Sequence, residues 1–368
     1  MRADSLRRAL IFGHFPRIAK FLKMPPSNAT PEAPPAPVDP LEPVYAAALA
    51  GDMATAMTLL DALPAASLSA AQEKAADCIR ARFGASPPDV AADLPPATAA
   101  ILRAYRNYWR DVMLCKATPA DGESALLVEL NRILAAHGGP VADLDAASDA
   151  AKAAIEAEGL FALTGVTLPY FELMVWRRNT RTTYRVPLPE LKVDVTVVFL
   201  DDFISLGWSG YATCERSHTG GWATATELYA VRSAYDVDSE NFRVSYLAHE
   251  GQHFADYPRF PRLAQPELEY RAKLTELAQA ATTTHDLVTR FAARSGPDRA
   301  IPHQCANFWV TNHLTHALLG HEVDLSTSIE WRALPRGRIN AAARELLVAS
   351  TRSLESRGAP TVERWLGE

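Results

Sequence analysis

His249 and His253 stand four residues apart, with Glu250 directly after the first of them. On an α-helix such positions share one face, about 6 Å apart, so both imidazoles can point at one ion. Zn²⁺ accepts histidine nitrogens as ligands and lowers the pKa of a bound water to about 7. A carboxylate beside that water, here Glu250, can take its proton. The motif therefore predicts a helix that passes through a core, and it indicates metal-assisted hydrolysis.

The residues around the motif favour a buried helix. Residues 242–256 contain no proline and carry apolar side chains at helical spacing. Pro258 and Pro261 are expected to end the helix just beyond the second histidine. One alternative stays open, in which this is an ordinary helix with two unrelated histidines.

A catalytic zinc site needs a third protein ligand and one open position. A second helix is predicted from Pro266, and it carries the carboxylates of Glu267, Glu269 and Glu276. HExxH followed by a glutamate on the next helix resembles the gluzincin metallopeptidases, several of which place the third ligand first in a Glu-x-x-Ala segment. Residues 269–272 match that segment, so the resemblance implies Glu269 as the third ligand. Glu267 and Glu276 are the alternatives, and either could instead belong to a solvated helix face.

The chain departs from the gluzincin pattern at Lys273, where many members carry an aspartate that orients a ligand histidine. Glu276 is a candidate for that role, since metal-bound histidines usually donate their other N–H to a carboxylate. The transition state of hydrolysis needs a further hydrogen-bond donor. Spacing does not choose among the candidates for it, which are Tyr270, Arg271, His316 and His321.

Alternating, β-branched stretches upstream of the motif predict a small sheet. Strands are expected at residues 182–188, 191–200, 207–213 and 227–231. A turn within residues 217–223 leads into a strand. There Gly220, Gly221 and Trp222 are candidates for an edge to which a peptide substrate adds as an extra strand. A hairpin turn without substrate contact is the alternative for these residues.

Three regions are expected along the 368 residues. Residues 1–43 join a basic amphipathic segment to a Pro/Ala-rich linker, and disorder is expected there. Residues 44–160 are alanine-rich and predict an all-α domain that caps a cleft or binds a protein partner. The resemblance to the gluzincins covers roughly residues 195–277, and it implies a zincin-like metallopeptidase domain at residues 161–368, with a small mixed sheet, an active-site helix and a helical lower lobe. The expected fold class is therefore α+β.

Composition argues against several other classes of protein. The net charge of −6 leaves no general basic surface for nucleic acid, and no apolar run is long enough for a transmembrane helix. The four cysteines are scattered without C-x-x-C pairs and are expected to be free thiols in a reducing compartment. A cytoplasmic location is expected, while the basic N-terminal segment leaves membrane-surface association or export open.

Together these features predict a zinc metallopeptidase that acts on a peptide or protein substrate. One Zn²⁺ per chain is expected on His249, His253 and Glu269, with Glu250 as general base. Two alternatives stay open, namely a non-catalytic protein-binding module with a structural metal site, and a zinc amidohydrolase acting on a small amide. A protein side chain in the fourth coordination position would favour the binding module, and the shape of the cleft would separate the two hydrolases.

Overall fold

The computed structural model of the protein describes residues 20–22, 39–64, 67–135, 140–320 and 330–367. Most of the predicted disordered region at residues 1–43 lies outside these ranges. Helices and strands are mixed, which confirms the α+β class. Residues 20–180 and 199–222 form a first compact unit, and residues 181–198 with those from 223 onward form a second. The two units therefore interleave along the chain.

Helices make up the larger part of each unit. The first unit contains α1 (Glu42–Leu49), α2 (Met53–Ala62), α3 (Ala70–Phe83), α4 (Pro96–Met113), α5 (Pro119–Leu134), α6 (Leu144–Ala157) and α7 (Gly207–Ala212). The second contains α8 (His249–Arg259), α9 (Gln265–Gln279), α10 (Thr284–Ala293), α11 (Pro302–Leu319) and α12 (Arg336–Ser356). A π-helical stretch, Phe242–Ala248, runs directly into α8. Within the described ranges, none of these helices combines the length and the apolar character needed to cross a membrane.

The strands form one sheet in the order β1-β5-β6-β4-β3-β2. They are β1 (Lys20–Leu22), β2 (Phe161–Thr167), β3 (Tyr170–Pro187), β4 (Lys192–Leu206), β5 (Thr219–Ala223) and β6 (Glu227–Val231). β2 and β3 are an antiparallel hairpin, and β1 pairs antiparallel with β5. The strands predicted at residues 182–188 and 191–200 overlap β3 and β4, which are both longer, and the strand predicted at residues 227–231 coincides with β6.

The strand predicted at residues 207–213 is wrong, because this segment forms helix α7. The buried carboxylate of Glu172 accepts a hydrogen bond of 3.0 Å from the backbone N–H of Trp208, at the start of the helix. Gly207 has a φ of +84°, and a Cβ at this position would lie 2.0 Å from Oε1 of Glu172. A glycine and a glutamate distant in sequence thus set the turn, and local alternation cannot predict that contact.

The core of the first unit surrounds Trp109 of α4. Its indole is fully buried, and the indole N–H donates a hydrogen bond of 2.9 Å to the carbonyl oxygen of Phe171. Several helices of this unit begin at a side chain that accepts a backbone N–H of the first turn, the usual signal for a helix start. These N-cap residues are Asp52, Ser69, Thr118 and Asp143.

Cys78 of α3 and Cys214 form a disulfide in the first unit, whereas Cys115 and Cys305 are free. The prediction of four free thiols is therefore wrong for this pair. The two cysteines are 136 residues apart in sequence. Spacing rules recognise metal and redox motifs, and they do not identify a single bridge across such a distance.

We expect two thiols to react with a thiol reagent when the protein is unfolded without a reductant, and four after reduction. Replacing Cys78→Ser should lower the free energy of unfolding by about 2–4 kcal/mol, because the unfolded chain loses a cross-link. Cys115→Ser is the matched control and should leave stability nearly unchanged. Four reactive thiols before reduction would contradict the bridge.

Candidate metal centre

His249 and His253 lie one turn apart on α8, and both rings are buried. Their Nε2 atoms are 3.2 Å apart. Glu269 of α9 faces them, with one carboxylate oxygen 3.4 Å from Nε2 of His249 and the other 3.5 Å from Nε2 of His253. We call these three side chains the donor group, since one ligand atom of each lies within 4.8 Å of the others.

The separations within the donor group suit a tetrahedral metal ion. Bonds of about 2.0–2.1 Å at tetrahedral angles place neighbouring ligand atoms about 3.3 Å apart. The two Nε2 atoms are 3.2 Å apart, and each lies 3.4–3.5 Å from the nearer oxygen of Glu269, which is Oε2 for His249 and Oε1 for His253. Imidazole and carboxylate ligands bind zinc and several other first-row divalent ions. The residues present therefore fit a transition-metal ion of this class.

Gly251 sets the position of α8 against the sheet. It points about 180° away from the mean direction of His249 and His253 on the helix. A Cβ at Gly251 would lie 3.2 Å from Val193 of β4 and 3.5 Å from Val186 of β3. The absence of a Cβ at Gly251 thus lets α8 approach these strands closely, with the two histidines on the opposite side of the helix.

Glu276 holds the other nitrogen of His249. The Nδ1 atom of His249 lies 2.7 Å from Oε1 of Glu276, and both side chains are buried. Nδ1–H can donate to this carboxylate, which leaves Nε2 free to bind a metal. Burial lowers the pKa of His249, but its interactions with the carboxylates of Glu269 and Glu276 outweigh burial and raise that pKa to about 10. Glu276 thus makes the contact with a histidine nitrogen that the sequence predicts for it.

Glu250 lies beside the donor group. Its Oε1 atom is 3.9 Å from Nε2 of His249. The carboxylate is buried, and Oε1 has no hydrogen-bond partner among the described residues. Burial raises the pKa of Glu250, and the nearby His253 and His249 oppose that rise. A buried carboxylate with a free oxygen is suited to receive a proton.

The alternative ligand Glu267 pairs with a different residue. It is fully buried, and its two carboxylate oxygens lie 2.6 and 2.7 Å from one guanidinium nitrogen of Arg299. Glu267 therefore belongs neither to the donor group nor to a solvated helix face. Glu276 is also buried, so the solvated-face alternative is wrong for both residues.

Arg271 connects helix α9 to α8 and α12. Its fully buried guanidinium donates two hydrogen bonds, of 2.7 and 2.9 Å, to Asp256 of α8. It also donates to Ser350 and Thr351 of α12 at 2.6 and 3.0 Å. These acceptors engage the guanidinium, and the role of Arg271 as a transition-state donor stays a prediction without support from its contacts. Its contacts fix α9 against α8 close to Glu269.

Tyr270, another predicted donor to the transition state, contacts a histidine of α11. Tyr270 is buried, and its hydroxyl lies 2.8 Å from Nδ1 of His313. His316 is exposed near the end of α11, and His321 lies outside the described residues. Tyr270 is thus engaged within the second unit, and the roles of the two histidines stay predictions.

The predicted substrate edge, Gly220 to Trp222, lies in β5 and is buried. The neighbours of β5 in the sheet are β1 and β6. Addition of a peptide strand requires unpaired backbone groups at an edge. With a strand on each side, β5 does not offer such an edge. The strand order therefore does not support a substrate role for this segment, which stays a prediction.

One residue at the site, His303, is not predicted from the sequence. It follows Pro302 in the first turn of α11, and its Nδ1 atom lies 2.8 Å from Oε2 of Glu269. No motif marks this histidine, because its place depends on how α11 packs against α9. The only signal in the sequence is a histidine at the start of a helix, which is too common to single it out.

Comparison with known proteins does not assign the chain to a family. No protein-family model matches it, and neither the curated proteins nor the solved structures contain a significant match. The site is therefore interpreted from its own geometry.

We expect Arg271→Ala to lower the free energy of unfolding by about 3–5 kcal/mol, because Asp256 would remain buried without its partner. Urea unfolding measures this loss. Arg332→Ala, which removes an exposed pair with Asp286, is the control and should cost much less. Equal losses in the two variants would contradict the structural role of Arg271.

Proposed function

We propose that the protein is a zinc-dependent metallopeptidase with a zincin-like catalytic domain of the gluzincin type. The proposal rests on one observation, a buried group of two histidines and a glutamate beside which Oε1 of Glu250 has no hydrogen-bond partner among the described residues. Catalytic sites of metal hydrolases combine three protein ligands to the metal with an adjacent general base. That the substrate is a peptide is inferred from the resemblance to the gluzincins.

The number of protein donors favours a catalytic over a structural site. Structural zinc sites fill four positions with protein ligands, whereas catalytic sites use three and keep one open. In the described part of the chain, no fourth histidine, cysteine, aspartate or glutamate joins His249, His253 and Glu269. This set of three supports a hydrolase over the non-catalytic binding module.

In the proposed reaction, His249 and His253 hold the ion through Nε2, and Glu269 holds it through its carboxylate. The zinc ion, when bound, supplies Lewis acidity that acidifies water and polarises a carbonyl group. Glu276 fixes the Nδ1–H tautomer of His249. Glu250 takes the proton of the attacking water at Oε1 and delivers it to the leaving amine. Because Glu250 is buried, its proton exchanges little with bulk water during the transfer.

We also propose that the protein is exported and not cytoplasmic. Export is one of the alternatives that the sequence leaves open. The Cys78–Cys214 disulfide supports this proposal. Protein disulfides persist in oxidising compartments and are rare in the cytosol.

The test compares zinc-loaded wild-type protein with Glu250→Gln on a mixed peptide library, with cleavage followed by mass spectrometry. We expect Glu250→Gln to bind zinc as the wild type does and to cleave about 10²–10⁴-fold more slowly, because it lacks the base. His253→Ala should lose both properties. Full cleavage by zinc-loaded Glu250→Gln would overturn the mechanism, and cleavage only of small amides would redirect it to an amidohydrolase.

A further inference from the structure

His303 contacts the third ligand from the outer side of the donor group. Its Nδ1 atom lies 2.8 Å from Oε2 of Glu269, and its side chain is 54% exposed while that of Glu269 is 5% exposed. The remaining polar contacts of the Glu269 carboxylate are to the inner histidines, at 3.4 and 3.5 Å. His303 is therefore the closest polar neighbour of Glu269 and the one that is open to solvent.

His303 is not a fourth member of the donor group. Its nitrogens do not fall within 4.8 Å of all three ligand atoms, because the group contains His249, His253 and Glu269 alone among the described residues. Nδ1 is within hydrogen-bonding distance of Oε2, and the ring N–H needs only to align with that oxygen to donate to it. The contact is thus one between a ligand and its outer neighbour.

We propose that His303 is a positioning residue that engages Oε2 of Glu269, so that this carboxylate binds the metal through Oε1 alone. The inference rests on the proposed zinc site. A carboxylate with two free oxygens can bind a metal through both and fill two coordination positions. A hydrogen-bond donor on one oxygen prevents this and keeps a position for water. Partners of this kind commonly contribute 10–100-fold to metal affinity.

The experiment uses the full chain with Zn²⁺ and, separately, with Co²⁺ as a spectroscopic substitute. The variants are His303→Ala and His303→Gln, with Gln304→Ala as the control on the neighbouring exposed position. Zinc affinity is measured by competition with a chromophoric chelator, and the visible spectrum of the Co²⁺ protein reports the coordination number. Circular dichroism checks that each variant is folded.

We expect His303→Ala to bind zinc about 10–100-fold more weakly. The visible absorption of the Co²⁺ form of this variant should be weaker, because both oxygens of Glu269 could then bind the ion and raise its coordination number. His303→Gln should restore much of both properties, since its amide N–H can engage Oε2, and Gln304→Ala should match the wild type.

Two results would overturn the inference. Unchanged affinity and an unchanged Co²⁺ spectrum in His303→Ala would show that the contact does not position Glu269. A loss that His303→Gln does not restore at all would make His303 a ligand instead. If the wild-type protein itself binds neither ion, the proposed zinc site fails, and that outcome is distinct from the other two.

Discussion

Helix α9 is buried along residues 266–278, yet it carries five charged side chains, at Glu267, Glu269, Arg271, Lys273 and Glu276. A buried charge is destabilising unless it is paired or hydrogen-bonded. Each charge on α9 therefore needs a partner on a neighbouring element. Arg271 meets Asp256 of α8, Glu267 meets Arg299, and Lys273 lies 4.6 Å from the ring centre of Phe291. These pairings set the orientation of α9 and bring its two remaining carboxylates to the histidines of α8.

The metal centre follows from that arrangement of charge. Two carboxylates of α9 converge on His249, and the pKa of this histidine rises to about 10 in the protein without a metal. A protonated imidazole thus supplies positive charge between Glu269 and Glu276. In the proposed metal site, a divalent ion on Nε2 would supply this charge instead, because metal binding requires the neutral ring. The need to pair buried charges thus orients α9 and also brings the donor group together. The donor group is preorganised in this sense.

The sequence predicts those parts of the site that depend on local spacing. The helical positions of His249 and His253 follow from the i, i+4 relation, and Glu269 stands among the carboxylates expected on the next helix. The sequence does not predict the role of Arg271 or the contact of His303, because each depends on how distant helices pack. The sequence also does not predict the helix at residues 207–212 or the Cys78–Cys214 bridge. Each of them depends on a contact with a residue far away in the chain.

The central claim is that α8 and α9 together hold one zinc ion, and elemental analysis tests it most directly. The protein is incubated with Zn²⁺, dialysed and compared with Glu269→Gln and with Glu267→Gln, in which an acceptor for Arg299 remains. The account predicts about one equivalent of zinc in the wild type and in Glu267→Gln, and a marked loss in Glu269→Gln. No zinc in the wild type, or undiminished zinc in Glu269→Gln, would contradict it.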